Sequence, residues 1–393
     1  MTMQNSTFQE WFCLNNRATF TIDPKVNPDD AKLYFGREQL RERMRKQVSR
    51  AFIDPQVPKM MFYGSYGSGK TQTLYHMAWD MKTNKPGSCK GQPHVVHLDI
   101  EVQSKSSADS WHLQMTEALE MNIVQSWLGQ LFATVANFDQ QISMLTTDAN
   151  IQTAFKQLRG GGDLAFNAWR WLTGQSLAAK ELQEIKVTRK LGDVGVGDLV
   201  SVIIALGNLA RAVGRELIFF MDEMEGLQNV KQGDAAESWH DYLRKLSDNS
   251  NSSVGFVLGF KADTIDDAPR ILVRPDVTSR IGKQNLIELE TLAAPANVKT
   301  FVEEMLSHLI DQIKAGALID AKSLPATLKT YPFTATAFEL MCDYACQDPH
   351  KSTPRNIIRT INECAITAWD ATPEKKHVID DSIVNDIAPV IFG

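Results

Sequence analysis

Cysteine is scarce in this 393-residue chain: Cys13, Cys89, Cys342, Cys346 and Cys364 are the whole complement. Their spacing matches neither a zinc ribbon nor the dense framework that staples small secreted domains, so neither metal nor disulfide organises the fold. Cys342 and Cys346 can share a helix face and read as reduced core thiols. No apolar run approaches the roughly 20 residues that span a bilayer, and the opening Met-Thr-Met-Gln-Asn-Ser-Thr lacks the basic and apolar segments of a signal peptide. A soluble cytoplasmic protein without membrane contact is the expectation. A dominant charge is missing too: 41 Lys and Arg against 47 Asp and Glu leave a net charge of -6. Broad attraction to nucleic acid is therefore absent, and DNA, which stays open as a partner, would need a local patch.

What the chain does have is a complete phosphate-binding loop. Gly64, Ser65, Tyr66, Gly67, Ser68, Gly69, Lys70 and Thr71 follow the apolar run Met60 to Tyr63 and precede a helical pattern. Strand, glycine-rich loop and helix fall in the order that lets backbone N–H groups curl around a β-phosphate while the helix points its positive end at the same anion. Lys70 would reach the β- and γ-oxygens of ATP, and the Thr71 hydroxyl would hold Mg²⁺. A Gly/Ser-rich turn that merely contains Lys-Thr would not need the flanking strand and helix.

A second signature adds hydrolysis. Leu217-Ile218-Phe219-Phe220-Met221 reads as a strand buried on both faces of a parallel sheet, and it ends in Asp222-Glu223. Carboxyl ends of such strands line the ligand crevice. Asp222 would orient the Mg²⁺ shell and Glu223 would polarise the attacking water.

The remaining pattern gives an α/β fold, a P-loop parallel-sheet core with a helical insertion and a C-terminal helical lid. Residues 1–33 form an N-terminal arm with Trp11, Phe12 and Phe20, 34–294 the core with an insertion over about 104–200, and 295–393 the lid. A basic helix opening at Leu33 carries Arg41, Arg43, Arg45, Lys46 and Arg50; it reads as a solvated face, with a phosphate contact as the alternative. His94 to Ile100 reads as a second buried strand, its two histidines on opposite faces and structural. The insertion reads as helices over 121–138 and 151–158, a Gly160-Gly161-Gly162 turn, and an aromatic stretch whose Trp169 and Trp171 belong to a core. Helices are expected over 199–213, capped by Gly214, and over 236–246. Val254 to Phe260 is a further buried strand, with Lys261, Asp263 and Thr264 placed beyond it to sense a γ-phosphate. A short strand at Leu286 to Leu289 follows, then lid helices over 298–313, 335–344 and 354–369.

From about Tyr34 to Trp369 this order resembles an AAA+ ATPase of the Orc/Cdc6-like branch: Gly36-Arg37-Glu38, the phosphate loop, Asp222-Glu223, the sensor strand, Thr278-Ser279-Arg280 and Thr353-Pro354-Arg355. Trp171-Leu172-Thr173-Gly174 through Leu191-Gly192-Asp193, Asp222 to Leu227 and Tyr242 to Asp248 are also similar to ATP-binding proteins of bacteriophage-exclusion (BREX) systems. The resemblance places Lys70 and Thr71 in Walker A and Asp222 and Glu223 in Walker B. It makes Arg355 a sensor contacting the γ-phosphate from the lid. Arg280 becomes an arginine finger entering a neighbour's site, so a homo-oligomer is implied, with a protein partner from a defence or mobile-element system. Two departures stand out: no Asn or Ser sits at the usual first sensor position, and too little chain follows the lid for a winged-helix domain. The expected function is an oligomeric, nucleotide-dependent switch in a DNA-acting bacterial complex. The alternatives are a transposition regulator or helicase loader, or a signalling ATPase that recruits an effector.

Overall fold

The computed structural model describes residues 6–53, 57–103, 106–230, 232–248, 253–372 and 374–393. The first five residues of the expected arm, and Ser104 and Lys105 at the expected start of the insertion, lie outside the described residues. In chain order come α1 (Phe8–Trp11), α2 (Glu38–Ile53), β1 (Lys59–Gly64), α3 (Lys70–Thr83) and β2 (Gln92–Asp99). The segment between β2 and the next strand holds α4 (Ala108–Leu119), α5 (Met121–Thr134), α6 (Phe138–Leu145), α7 (Ala149–Gly160), α8 (Gly162–Leu172), α9 (Ala179–Glu184) and α10 (Val196–Ala212). Then follow β3 (Arg215–Asp222), α11 (Asp234–Ser247), β4 (Val254–Lys261), α12 (Arg270–Val273), α13 (Pro275–Ile281) and β5 (Leu286–Glu288). The chain ends with α14 (Pro295–Leu309), α15 (Gln312–Lys322), α16 (Ala335–Gln347), α17 (Pro354–Asp370) and α18 (Asp381–Phe392).

Two compact units result: residues 43–64 with 77–288, and residues 1–42 with 65–76 and 289–393. In the first, five parallel strands are ordered β2-β3-β4-β1-β5. Every residue of β3 from Glu216 to Asp222 is buried, as is β4 from Val254 to Phe260, which is why both read as unbroken apolar runs. The expected second buried strand is instead an edge strand, half-buried at His94, Val95, His97 and Leu98. His94 meets the Trp127 ring edge-on at 5.0 Å and His97 lies 5.3 Å from Phe220, both structural contacts. Gly207 of α10 has a steric reason: a Cβ there would come within 2.4 Å of Val254 Cγ2 and 2.6 Å of the Ser253 carbonyl oxygen. Trp169 and Trp171 are buried, and Gly161 and Gly162 turn the chain between α7 and α8 at φ of 77° and 69°.

The second unit builds its core from the arm and the C-terminal helices: Trp11, Phe12 and Phe20 pack with Val302, Met341, Ile361 and Val384. The single helix expected over 298–313 is split. Asp311 caps α15 through Ile313 and Lys314, and Leu14 of the arm bridges to Ile310 in the break, with Asp311 N–H donating to the Cys13 carbonyl at 2.7 Å. Helix α2 begins at Glu38, not Leu33, because Gly36 takes φ of 62° with Phe301 Cβ 2.9 Å from where its own Cβ would stand.

Candidate functional site

In the second unit, Gly67 and Gly69 adopt φ of 79° and 90°, a region open to glycine at no steric cost, and the loop turns there into α3. Thr73 N–H closes onto the Gly69 carbonyl at 2.8 Å, so Lys70 and Thr71 stand in the first helical turn. Lys70 Nζ donates to the Ser65 carbonyl at 2.9 Å. Ser65 Oγ and Ser68 Oγ are buried without a hydrogen-bond partner, and Ser68 is 0% exposed. Unsatisfied buried hydroxyls are costly, and an anion seated in this loop gives them an acceptor. The residues present fit a bound triphosphate.

Helix α17 rests on this loop. Thr353 caps it by accepting from Asn356 N–H, and Pro354 occupies the first helical position, where its missing N–H costs nothing. A Cβ on Gly67 would sit 2.9 Å from Thr353 Oγ1 and 3.1 Å from Arg355 Cβ, so only glycine allows the approach. Arg355 N–H donates to the Gly67 carbonyl at 3.4 Å, and its guanidinium covers the otherwise exposed Tyr66 ring at 4.6 Å. Arg37 stands beside Gly69, its Nη1 3.7 Å from the Cβ position, and its Nη2 donates to the Glu290 carbonyl at 2.7 Å. Tyr34 stacks on His76 at 4.6 Å and bonds Thr73 Oγ1 at 3.0 Å, binding the segment before α2 to the first turns of α3.

In the sheet unit, Asp222 ends β3 and is 5% exposed, its Oδ1 accepting from Glu223 N–H at 3.0 Å. Glu223 is exposed and holds the left-handed conformation, φ 61° and ψ 28°. A non-glycine residue there stores about 1–2 kcal/mol of backbone strain, a feature that clusters at working sites. Its neighbour Glu225, which sequence reasoning passed over, accepts from Lys261 N–H at 3.1 Å. The next amide, Ala262 N–H, donates to the Gly64 carbonyl at 3.3 Å. Gly64 and Asp222 thus stand on the same carboxyl edge of the sheet, with β4 between their strands.

Arg280 lies in the last turn of α13, donating to the Asp276 carbonyl, with Nε 3.9 Å from Asp248 Oδ2. Helix α13 is held to α11 by His240 Nε2 against Asp276 Oδ2 at 2.9 Å and by Arg274 against Glu237 at 3.0 Å. Of the basic groups on α2, Arg41 pairs with Glu38 and Arg45 grips Asp80 through two bonds of 2.8 and 2.6 Å, while Arg43, Lys46 and Arg50 are exposed. Thr264 spends its hydroxyl on Asp267 at 2.8 Å as a turn cap. Four of the five cysteines are buried. No described helix is long and apolar enough to cross a membrane.

No protein-family profile matches the sequence, and no characterised protein is similar to it in sequence. A solved structure shares its fold, and others resemble it more loosely. The ORC2 protein of Aeropyrum pernix, solved as ADPNP-ADP complexes, superposes with a TM-score of 0.51 at 12% identity, over 91% of this chain and 68% of that one. The A. pernix ORC1 protein in complex with DNA gives 0.46 at 12% identity over 94% and 69% of the two chains. The Thermotoga maritima RuvB Holliday junction branch migration motor gives 0.40 at 13% identity over 92% and 70%. The chain shares the α/β fold of that ORC2 structure, with a five-stranded parallel sheet, a run of helices between β2 and β3 and a C-terminal group of helices.

Proposed function

We propose that this protein binds ATP with Mg²⁺ and hydrolyses it, as an oligomeric switch within a DNA-acting bacterial complex. The observation that carries the reading is the glycine-built loop with its buried, unpartnered Ser65 and Ser68 hydroxyls. In this reading Lys70 neutralises the β- and γ-phosphates, and Thr71 and Asp222 hold Mg²⁺. The metal, when bound, spreads the charge that develops on the transferring phosphoryl group. Glu223 accepts the proton of the attacking water. Arg355 reads the γ-phosphate from the lid, and Arg280, exposed enough to be offered to a second copy, completes that copy's site.

The fold relative solved with ADPNP and ADP supports nucleotide binding. The exposed Arg43, Lys46 and Arg50 supply a patch for duplex phosphates. The anti-phage setting rests on the looser BREX-like motifs of the sequence. Native mass measurement with ATP-γ-S, with and without duplex DNA, tests the whole reading. The nucleotide should raise the assembly state and DNA should join it, whereas a monomer under every condition contradicts the switch.

A further inference from the structure

Helix α13 has seven residues, too few to be stable alone, and α11 holds it along one face. Glu237, His240 and Asp248, in order along α11 and just past its end, meet Arg274, Asp276 and Arg280 in the same order. Helix α11 is itself fixed: Trp239, Leu243 and Leu246 are buried, and Lys59 Nζ donates to the Ser247 and Asp248 carbonyls at 3.3 and 2.9 Å, a cation on the negative end of the helix. The middle contact differs from the outer two, which lie in solvent, where screening leaves ion pairs weak. His240 is 3% exposed, its Nε2 stands 2.9 and 3.1 Å from the two Asp276 carboxylate oxygens, and its Nδ1 is buried without a hydrogen-bond partner. Burying a ring nitrogen unsatisfied is costly, and what the position returns is a single link to Asp276. Asp276 passes that link on, because its backbone carbonyl accepts from Arg280 Nη1 one turn later. Its carboxylate faces the buried anchor and its carbonyl holds the guanidinium.

We propose that His240 is the positioning residue of Arg280: through Asp276 it sets where α13 offers the guanidinium to a second copy of the chain. This rests on the reading of Arg280 given above and deepens it. A planar guanidinium stabilises a transferring phosphoryl group only when its donors are aimed beforehand, and a misplacement of about 1 Å costs on the order of 10²-fold in rate. Arg280 keeps 30% of its side chain exposed, so it is presented to solvent yet tied back to the helix that carries it. His240 touches no reacting atom and acts by alignment alone.

The test places the substitution in one or the other chain of a mixed oligomer. Arg280→Ala subunits keep Lys70 and Glu223 and lack the arginine, Glu223→Gln subunits supply it, and the turnover restored by mixing them is the reference. His240→Ala added to the Glu223→Gln chain should remove most of the restored turnover, whereas the same substitution added to the Arg280→Ala chain should leave it. A merely structural role would weaken both mixtures alike. His240→Gln, whose amide can still donate to Asp276, should recover much of the loss. Asp276→Ala, which keeps the carbonyl and removes the carboxylate from a side chain 39% exposed, should give the same asymmetry without touching the buried ring. Alone, His240→Ala should lower kcat on the order of 10²-fold with KM for ATP little changed. Retained ADP binding certifies the fold of each variant. Equal loss in both mixtures, or loss in neither, overturns the positioning role and leaves the ATPase reading intact. A reference mixture that stays inactive although native mass shows mixed oligomers overturns the role of Arg280 on a neighbour, and this proposal with it.

Discussion

Arg355 lays its guanidinium 4.6 Å over the ring of Tyr66, so α17 touches the glycine-rich loop before α3 through a flat cation on an exposed aromatic face. The same residue's N–H holds the Gly67 carbonyl. Planarity matters to both the stack and a bidentate phosphate contact, so lysine is a poor substitute. Arg355→Ala and Arg355→Lys should both slow ATP turnover on the order of 10-fold while leaving ADP affinity near wild type. Steady-state phosphate release with parallel ADP titration reads this out, and a fully active Arg355→Lys would assign the role to charge alone.

Glu223 combines a left-handed backbone with exposure, and in the proposed function its carboxylate polarises water. Glu223→Gly should remove turnover yet raise unfolding stability by about 0.5–1 kcal/mol, because glycine takes the left-handed conformation without the Cβ clash, partly offset by its looser unfolded chain. Thermal or urea unfolding beside the turnover assay gives both numbers. Loss of stability in this variant would mean the Glu223 side chain holds the fold together.

Burial and the nearby Lys82 push His97 down to about 4, and complete burial pushes His112 down to about 4. His112 bonds the Leu172 carbonyl at 2.7 Å and approaches the Tyr242 hydroxyl at 3.3 Å, a place for a neutral ring. The folded protein therefore binds fewer protons than the unfolded chain between the ordinary histidine value and about 4. Stability should be complete above about pH 6.5 and fall as pH drops toward 4, by up to about 3 kcal/mol for each of the two. Urea unfolding from pH 7 to 4.5 checks the slope, and His112→Gln should flatten part of it. A pH-independent midpoint would contradict both shifts.

Arg280 should act on a neighbour's nucleotide. Arg280→Ala alone should bind ATP but turn over on the order of 10³-fold more slowly, and Glu223→Gln alone should be inactive. Mixed, they form some interfaces with every group present, and activity should partly return. If native mass shows mixed oligomers and none returns, the role passes to Arg274 or stays within one chain.

The sheet was legible because its two central strands are buried on both faces, and such strands must be apolar throughout. β2 misled because Val95 and Leu98 look like core residues although the strand lies at the edge, where half-burial suffices. The break at Ile310 was not legible, since α14 and α15 both continue a helical pattern and it takes the docking of Leu14, beside the Asp311 cap, to separate them. Helix α18, with Pro389 inside it, went unforeseen because a proline argues against a helix that its neighbours nevertheless support. At the candidate site the sequence named residue types but not their backbone. Nothing in the letters Asp-Glu-Met-Glu announces that Glu223 is left-handed or that Glu225 reaches the end of β4.

Phosphate release from Mg-ATP by the purified protein is the direct test of hydrolysis at the loop from Gly64 to Thr71. Wild type should turn over, Lys70→Ala should neither bind nor hydrolyse, and Glu223→Gln should bind ATP and retain it unhydrolysed. Equal phosphate release by wild type and Lys70→Ala, or none from wild type with Mg²⁺ in every assembly state, would contradict the account.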